Sequence, residues 1–279
     1  ITDHGYVNGP PAKIAAFGID STNITWQFTY ALDTNKYPTG GGVGPVGIAI
    51  DSTGGWLFVT HENMSGEDIK GVQLVNAKSL DDFGVVNAPG ASDLAGIVFD
   101  ENRNKVYTVD RGTTLLFVYT WHLPTHTLTL DGQHTLSIEP GDDPLYACGL
   151  AYDDIEDILY VTSIGESGGT PGHGDISPVV HAYDVNNWSH LGSIVTQVGE
   201  TEYNAVGVAV YNDDNGTNYL YTGAYALSGT HTFLVRTDLD LYPTDPNSAV
   251  LAKNLGTGTS AIGIAVDPDT GLVYTTRSN

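Results

Sequence analysis

Short apolar runs alternate with polar turns along the whole chain, and one phrase returns five times. It reads Gly, aliphatic, small, apolar, usually Asp; a polar turn and a Tyr/Val/Thr-rich run follow. The copies are Gly47-Ile-Ala-Ile-Asp51 with Trp56-Leu-Phe-Val-Thr60, and Gly96-Ile-Val-Phe-Asp100 with Lys105-Val-Tyr-Thr-Val109. Then come Gly149-Leu-Ala-Tyr-Asp153 with Ile158-Leu-Tyr-Val-Thr162, and Gly207-Val-Ala-Val-Tyr211 with Tyr219-Leu-Tyr-Thr222. The last is Gly263-Ile-Ala-Val-Asp267 with Leu272-Val-Tyr-Thr-Thr276. The glycines are spaced by 49, 53, 58 and 56 residues, so a repeated unit organises the chain. Each copy predicts a strand buried on both faces, a reverse turn, and a second strand of β-branched and aromatic residues. The small residue two after each glycine (Ala49, Ala151, Ala209, Ala265, with Val98 the exception) suits a crowded centre.

Two further strand-like runs lie between successive copies, giving four strands per unit. Four-stranded units repeated radially predict the blades of an all-β propeller. The fifth copy stops at Asn279 after its second strand, while Lys13–Asp20 and Thr25–Ala31 read as a third and a fourth strand at the other end. The prediction is therefore one propeller domain over 1–279 with five four-stranded antiparallel blades, the last closed by the N-terminal strands. Its blades run over about 44–91, 92–144, 145–202, 203–259, and 260–279 plus 12–43, with 1–11 as an extension. Closing the ring leaves no open edge.

The phrases Gly-Ile-Ala-Val-Asp-Pro-Asp-Thr-Gly-Leu-Val-Tyr (263–274), Leu-Tyr-Val-Thr-Ser (159–163) and Val-His-Ala-Tyr-Asp-Val-Asn-Asn (180–187) resemble the YVTN family of β-propeller repeats. The resemblance implies an extracellular or cell-envelope setting. It leaves function open, since such repeats occur in surface-layer and adhesion-type proteins, in lactonase-like enzymes and in orphan secreted proteins. This chain departs from the short family repeat by longer loops at 163–178 and 225–231.

Charge narrows the partners. With 33 acidic against 10 basic residues the net charge is −23, which disfavours nucleic acid and anionic membranes. No run approaches the ~20 apolar residues of a membrane span. The single cysteine, Cys148, sits in an apolar run and reads as a packed, inert thiol. The chain begins at Ile1 without a Met, as a processed secretory protein would. Sequons occur at Asn23, Asn63, Asn187 and Asn215, of which Asn23, Asn187 and Asn215 fall at expected hairpin tips.

Loops leading into the first strand and leaving the second share one face of such a fold. That face collects His61-Glu62-Asn63, Asp110-Arg111, 163–175 and Arg277, with Asp93, Asp142-Asp143 and Glu200-Thr-Glu202 on the incoming loops. Residues at equivalent places differ between blades: His-Glu, Asp-Arg, Ser-Ile, Gly-Ala and Arg-Ser. Glu62, Asp110, Glu166 and His61 are the candidate catalytic or metal-binding group, since paired carboxylates suit acid/base work on a sugar. The bland alternative is polar strand ends facing water.

Asp213, Asp267 and Asp269 lie in acidic turns that are weak candidates for Ca2+; they lack the ligand series of an EF-hand and read first as reverse turns. No other cofactor is expected. His173 is the loop histidine best placed as a ligand, and the nine histidines form no HExxH and no tight pair on one strand face. Trp26, Trp121 and Trp188 could stack on sugars, although strand aromatics belong more often to the core.

The expectation is a secreted structural or interaction protein, a subunit of a surface layer, adhesin or filament, that forms homo-oligomers or polymers. Residues 1–11 would then pair with a neighbour's outer strand. The alternatives are a secreted hydrolase or lyase acting on carbohydrate or lactone, and a glycan-binding propeller.

Overall fold

The architecture comes from a computed structural model that describes residues 2–3, 13–19, 24–31, 43–63, 70–79, 81–113, 115–136, 147–163, 179–195, 203–213, 215–226, 232–256 and 261–277. The chain divides into two compact units, residues 1–135 and 136–279.

The first unit opens with a three-stranded sheet of β1 (Thr2–Asp3), β2 (Lys13–Ile19) and β3 (Ile24–Ala31). A blade follows, of β4 (Val43–Asp51), β5 (Trp56–Asn63), β6 (Gly71–Asn76) and β7 (Asp82–Asn87). The next has β8 (Leu94–Asp100), β9 (Lys105–Asp110), β10 (Leu115–His122) and β11 (Thr127–Thr135).

In the second unit one blade is β12 (Ala147–Asp153), β13 (Ile158–Ser163), β14 (Val179–Asp184) and β15 (His190–Val195). Another is β16 (Tyr203–Asn212), β17 (Asn218–Ala226), β18 (Thr232–Asp238) and, after the one-turn α1 (Pro246–Ala249), β19 (Val250–Gly256). The pair β20 (Ala261–Val266) and β21 (Val273–Arg277) ends the chain.

The described residues thus form four complete four-stranded antiparallel blades, where five are expected from the sequence. A three-stranded and a two-stranded sheet hold the remaining strands. At the N-terminus, Thr2 and Asp3 pair with Ile14 and Lys13 of the same chain, and the rest of 1–11 lies outside the described residues.

The repeated glycine marks a bulge. In all five first-to-second strand pairs the register slips by one residue, across Val46–Gly47, Ala95–Gly96, Cys148–Gly149, Val206–Gly207 and Ile262–Gly263. A Cβ on Gly47 would lie 2.7 Å from the Ala95 carbonyl and 2.8 Å from Thr60 Oγ1; on Gly149 it would collide with the Val206 carbonyl. Thr60 accepts from the Gly47 amide (2.9 Å) and donates to the Ala95 carbonyl of the next blade (2.6 Å). Thr162 repeats this, with Gly149 at 2.7 Å and Val206 at 2.8 Å. One hydroxyl therefore ties a bulge to its neighbour's bulge. Cys148, inside a bulge, is half-buried.

The small residue two after the glycine has a second reason besides crowding. Ala49, Val98, Ala151, Ala209 and Ala265 stand opposite Phe58, Tyr107, Tyr160, Tyr221 and Tyr274, so each leaves room for a ring on the adjoining strand. In the first unit Trp56, Phe58, Val72 and Leu74 pack on Phe117, Tyr119, Trp121 and Leu128 of the next blade. In the second, Tyr160, Val180 and Ile194 pack on Ala205, Val208 and Leu220.

Candidate functional site

Strand register defines which side chains share the end of the second strand. Val59, Thr108, Val161, Thr222 and Thr275 lie opposite the residue after each repeat glycine. Two residues further on stand His61, Asp110, Ser163, Ala224 and Arg277. In the fourth complete blade the equivalent pair is Ala224-Tyr225, one residue later than the Gly-Ala read from the sequence.

His61 is fully buried on β5, with Nε2 2.8 Å from Gln73 Oε1 on β6. Burial lowers its pKa to about 4, against weaker upward pulls from Gln73 and the Asp82 charge. The imidazole is therefore neutral in the fold near neutral pH. An unfolded histidine titrates at 6.5, so below that pH the unfolded chain takes up a proton that the folded chain refuses. Stability from His61 is full above 6.5 and drains as pH falls toward 4. We expect about 2 kcal/mol to be lost between pH 6.5 and 5. Urea titrations at both pH values should show a larger loss in the wild type than in His61→Asn, which keeps the contribution of His181.

Asp110 is also fully buried. Its carboxylate accepts from the Ser92 amide, the Ser92 hydroxyl (2.8 Å), and the amides of Asp93 (3.2 Å), Gly112 (2.7 Å) and Thr113 (3.0 Å). Arg111 then clasps Asp93, with Nη2 at 2.6 Å and Nε at 2.8 Å from Oδ2. The fold thus brings Asp93, Asp110 and Arg111 together, as the shared face requires. Five donors make Asp110 a strut between the incoming and outgoing loops, with little room to accept a substrate proton.

Ser163 ends β13 and is buried. Its Oγ lies 3.5 Å from His181 Nε2; His181 Nδ1 is 3.0 Å from Ser193 Oγ, and His190 Nε2 is 3.2 Å from that same oxygen. This chain crosses three strands of one blade, from a buried hydroxyl to the half-buried His190. Burial, helped by His190, lowers the His181 pKa to about 4. In the next blade Ala224 instead joins Val235 in an apolar cluster.

Other candidates lie elsewhere. The Glu62 side chain, Glu166, Asp142, Asp143, His173, Glu200, Glu202 and Asn23 lie outside the described residues, as do the side chains of Asn63, Trp26 and Arg277. The exposed carboxylates of Asp213 and Asp267 accept amides of their own turns, from Asn215 (2.9 Å) and Thr217 (2.8 Å), and from Asp269 (3.0 Å). The Thr217 amide bond leads in holding Asp213 below the usual carboxylate range, and the Thr270 hydroxyl leads at Asp267. No cluster of three metal-ligating His, Cys, Asp or Glu occurs among the described residues. Asn187 and Asn215 are exposed at turns. Trp121 is buried and donates its indole N–H to Asp51 of the preceding blade (3.1 Å), a core role. Among the described residues no helix is long and apolar enough to cross a membrane.

No protein-family model and no curated protein matches the chain. Similar folds are found among solved structures. A chain of the nidogen/laminin complex has a TM-score of 0.62 at 12% identity, over 96% of this chain and 83% of that one. Hydrazine synthase of Kuenenia stuttgartiensis gives 0.57 at 14%, over 97% and 71%. The Dos1 propeller gives 0.53 at 9%, over 84% of this chain and 53%, about half, of that one. At these identities the likeness concerns the fold. Together with the strand order, it makes this chain an all-β propeller with four-stranded antiparallel blades.

Proposed function

We propose that the chain is an extracellular structural or interaction propeller, a self-associating subunit of a surface layer, adhesin or filament. The observation that carries this reading is the use of Asp110: the best-placed carboxylate of the shared face is spent on loop amides. A hydrolase or lyase would need that group open to substrate. The YVTN-like phrases and a similar fold within a protein–protein complex add support.

The reading includes a fifth blade in which β2 and β3 complete β20 and β21. Tyr221 and Arg236 are only half-buried and Leu251 beside them is 60% exposed, whereas Phe58, Tyr107 and Tyr160 at the Tyr221 position are buried. Two more strands on β20–β21 would cover that face. The third-to-fourth strand bulge falls at Ala16/Phe17 in β2, as at Val118/Tyr119 and Ala182/Tyr183; because β1 already pairs Lys13 and Ile14, β21 would meet β2 only beyond that end.

Register slips interrupt every third-to-fourth strand pair, which discourages backbone pairing along the outer edges. Association would then run through side chains such as Phe83 (57% exposed) on β7 and Leu191 (53%) on β15. Light scattering against concentration tests this. The wild type should associate and Phe83→Asp should associate less; a monomer throughout, or no effect of the substitution, contradicts the proposal.

A further inference from the structure

We propose that His181 and His190 form a binding site for one borderline divalent transition-metal ion, of the Zn2+, Cu2+ or Ni2+ class, on the third and fourth strands of their blade. The two residues lie on adjacent strands. Tyr183 pairs with His190 and His181 with Ser193 across a register slip, and that slip sets the imidazoles diagonally on one face.

Their nitrogens converge on one point. His181 Nδ1 and His190 Nε2 lie 3.0 and 3.2 Å from the same Ser193 Oγ, and the ring centroids are 5.5 Å apart. Two imidazoles held at Zn–N distances of about 2.1 Å on a tetrahedral ion bring their centroids to about 5 Å. Little strand movement is therefore required.

Ser193 is exposed, so its hydroxyl can rotate aside for the ion, with water completing the shell. The other ring nitrogen of His181 faces Ser163 Oγ at 3.5 Å. An N–H donated there leaves the Nδ1 lone pair aimed at the site, the outer-shell arrangement that orients metal-bound histidines. Neutral imidazole selects Zn2+, Cu2+ and Ni2+ over Ca2+ or Mg2+, which favour oxygen ligands.

Calorimetric titration of the full chain with ZnCl2 at pH 7 tests the site, with CaCl2 as the comparison. One Zn2+ should bind per chain. His190→Gln on the outer strand should weaken binding by more than the ~10- to 100-fold that loss of an outer-shell partner costs. Ser193→Ala should retain it, with unchanged circular dichroism in both variants. Cu2+ electron paramagnetic resonance should show coupling to two nitrogens in the wild type and one in His190→Gln. Absence of Zn2+ binding, equal binding by His190→Gln, or an oxygen-only copper spectrum overturns the site and leaves a hydrogen-bonded strut. None of these outcomes depends on whether the chain self-associates.

Discussion

Gly149→Ala should destabilise the protein by about 3 kcal/mol or more, read as a fall in the urea midpoint at unchanged slope. The added methyl would meet the backbone carbonyl of Val206, which is held in the neighbouring blade's own bulge, and the Thr162 hydroxyl at 2.9 Å. Neither group can swing away as a long side chain would. Thr162→Val removes the hydroxyl alone and leaves the Gly149 amide and Val206 carbonyl short of a partner, at about 2 kcal/mol. Gly132→Ala is the control: nothing lies within 4 Å of its Cβ, so the change should be near neutral. If Gly149→Ala were also neutral, the bulge would be a loose join and close blade contact would not explain the repeated glycine.

Asp110→Ala should be comparably severe, at about 4 kcal/mol, because it strips the acceptor from four backbone amides at once. Asp110→Asn should recover part of this, since an amide keeps one acceptor oxygen but turns its NH2 toward donors. Thermal unfolding of both variants measures the order. A loss under 1 kcal/mol for Asp110→Ala would mean that the carboxylate is spare, and the catalytic reading would return.

Much of the architecture is legible in the chain, and the misreadings have physical causes. The glycine phrases locate all five first-to-second strand pairs because an apolar run, an Asx turn and a β-branched run follow each. Asp51, for example, ends its strand buried. That burial would raise its pKa, but the Gly54 and Thr53 amides, the Thr53 hydroxyl and the Trp121 indole outweigh it and hold the carboxyl low. The bulges are invisible to a reading of alternation, since one extra residue leaves an apolar run apolar. A signal did exist: Thr60, Thr162 and Thr276 each follow their glycine by 13 residues.

Asp110 looked like a free strand-end carboxylate, although Asp110-Arg-Gly-Thr113 has the turn chemistry of an aspartate that caps its own loop. The pairing of His181 with His190 could not be read at all, because a register slip between β14 and β15 decides which residues share a face. Thr2–Asp3 likewise gave no sequence cue that they would pair with β2.

Cryo-electron microscopy of the full chain, at concentrations where scattering reports association, tests the central claim most directly. The account predicts repeating contacts between copies through outer-strand side chains such as Phe83, and five-bladed subunits. Isolated particles at every concentration, with the outer strands uncontacted, would contradict it.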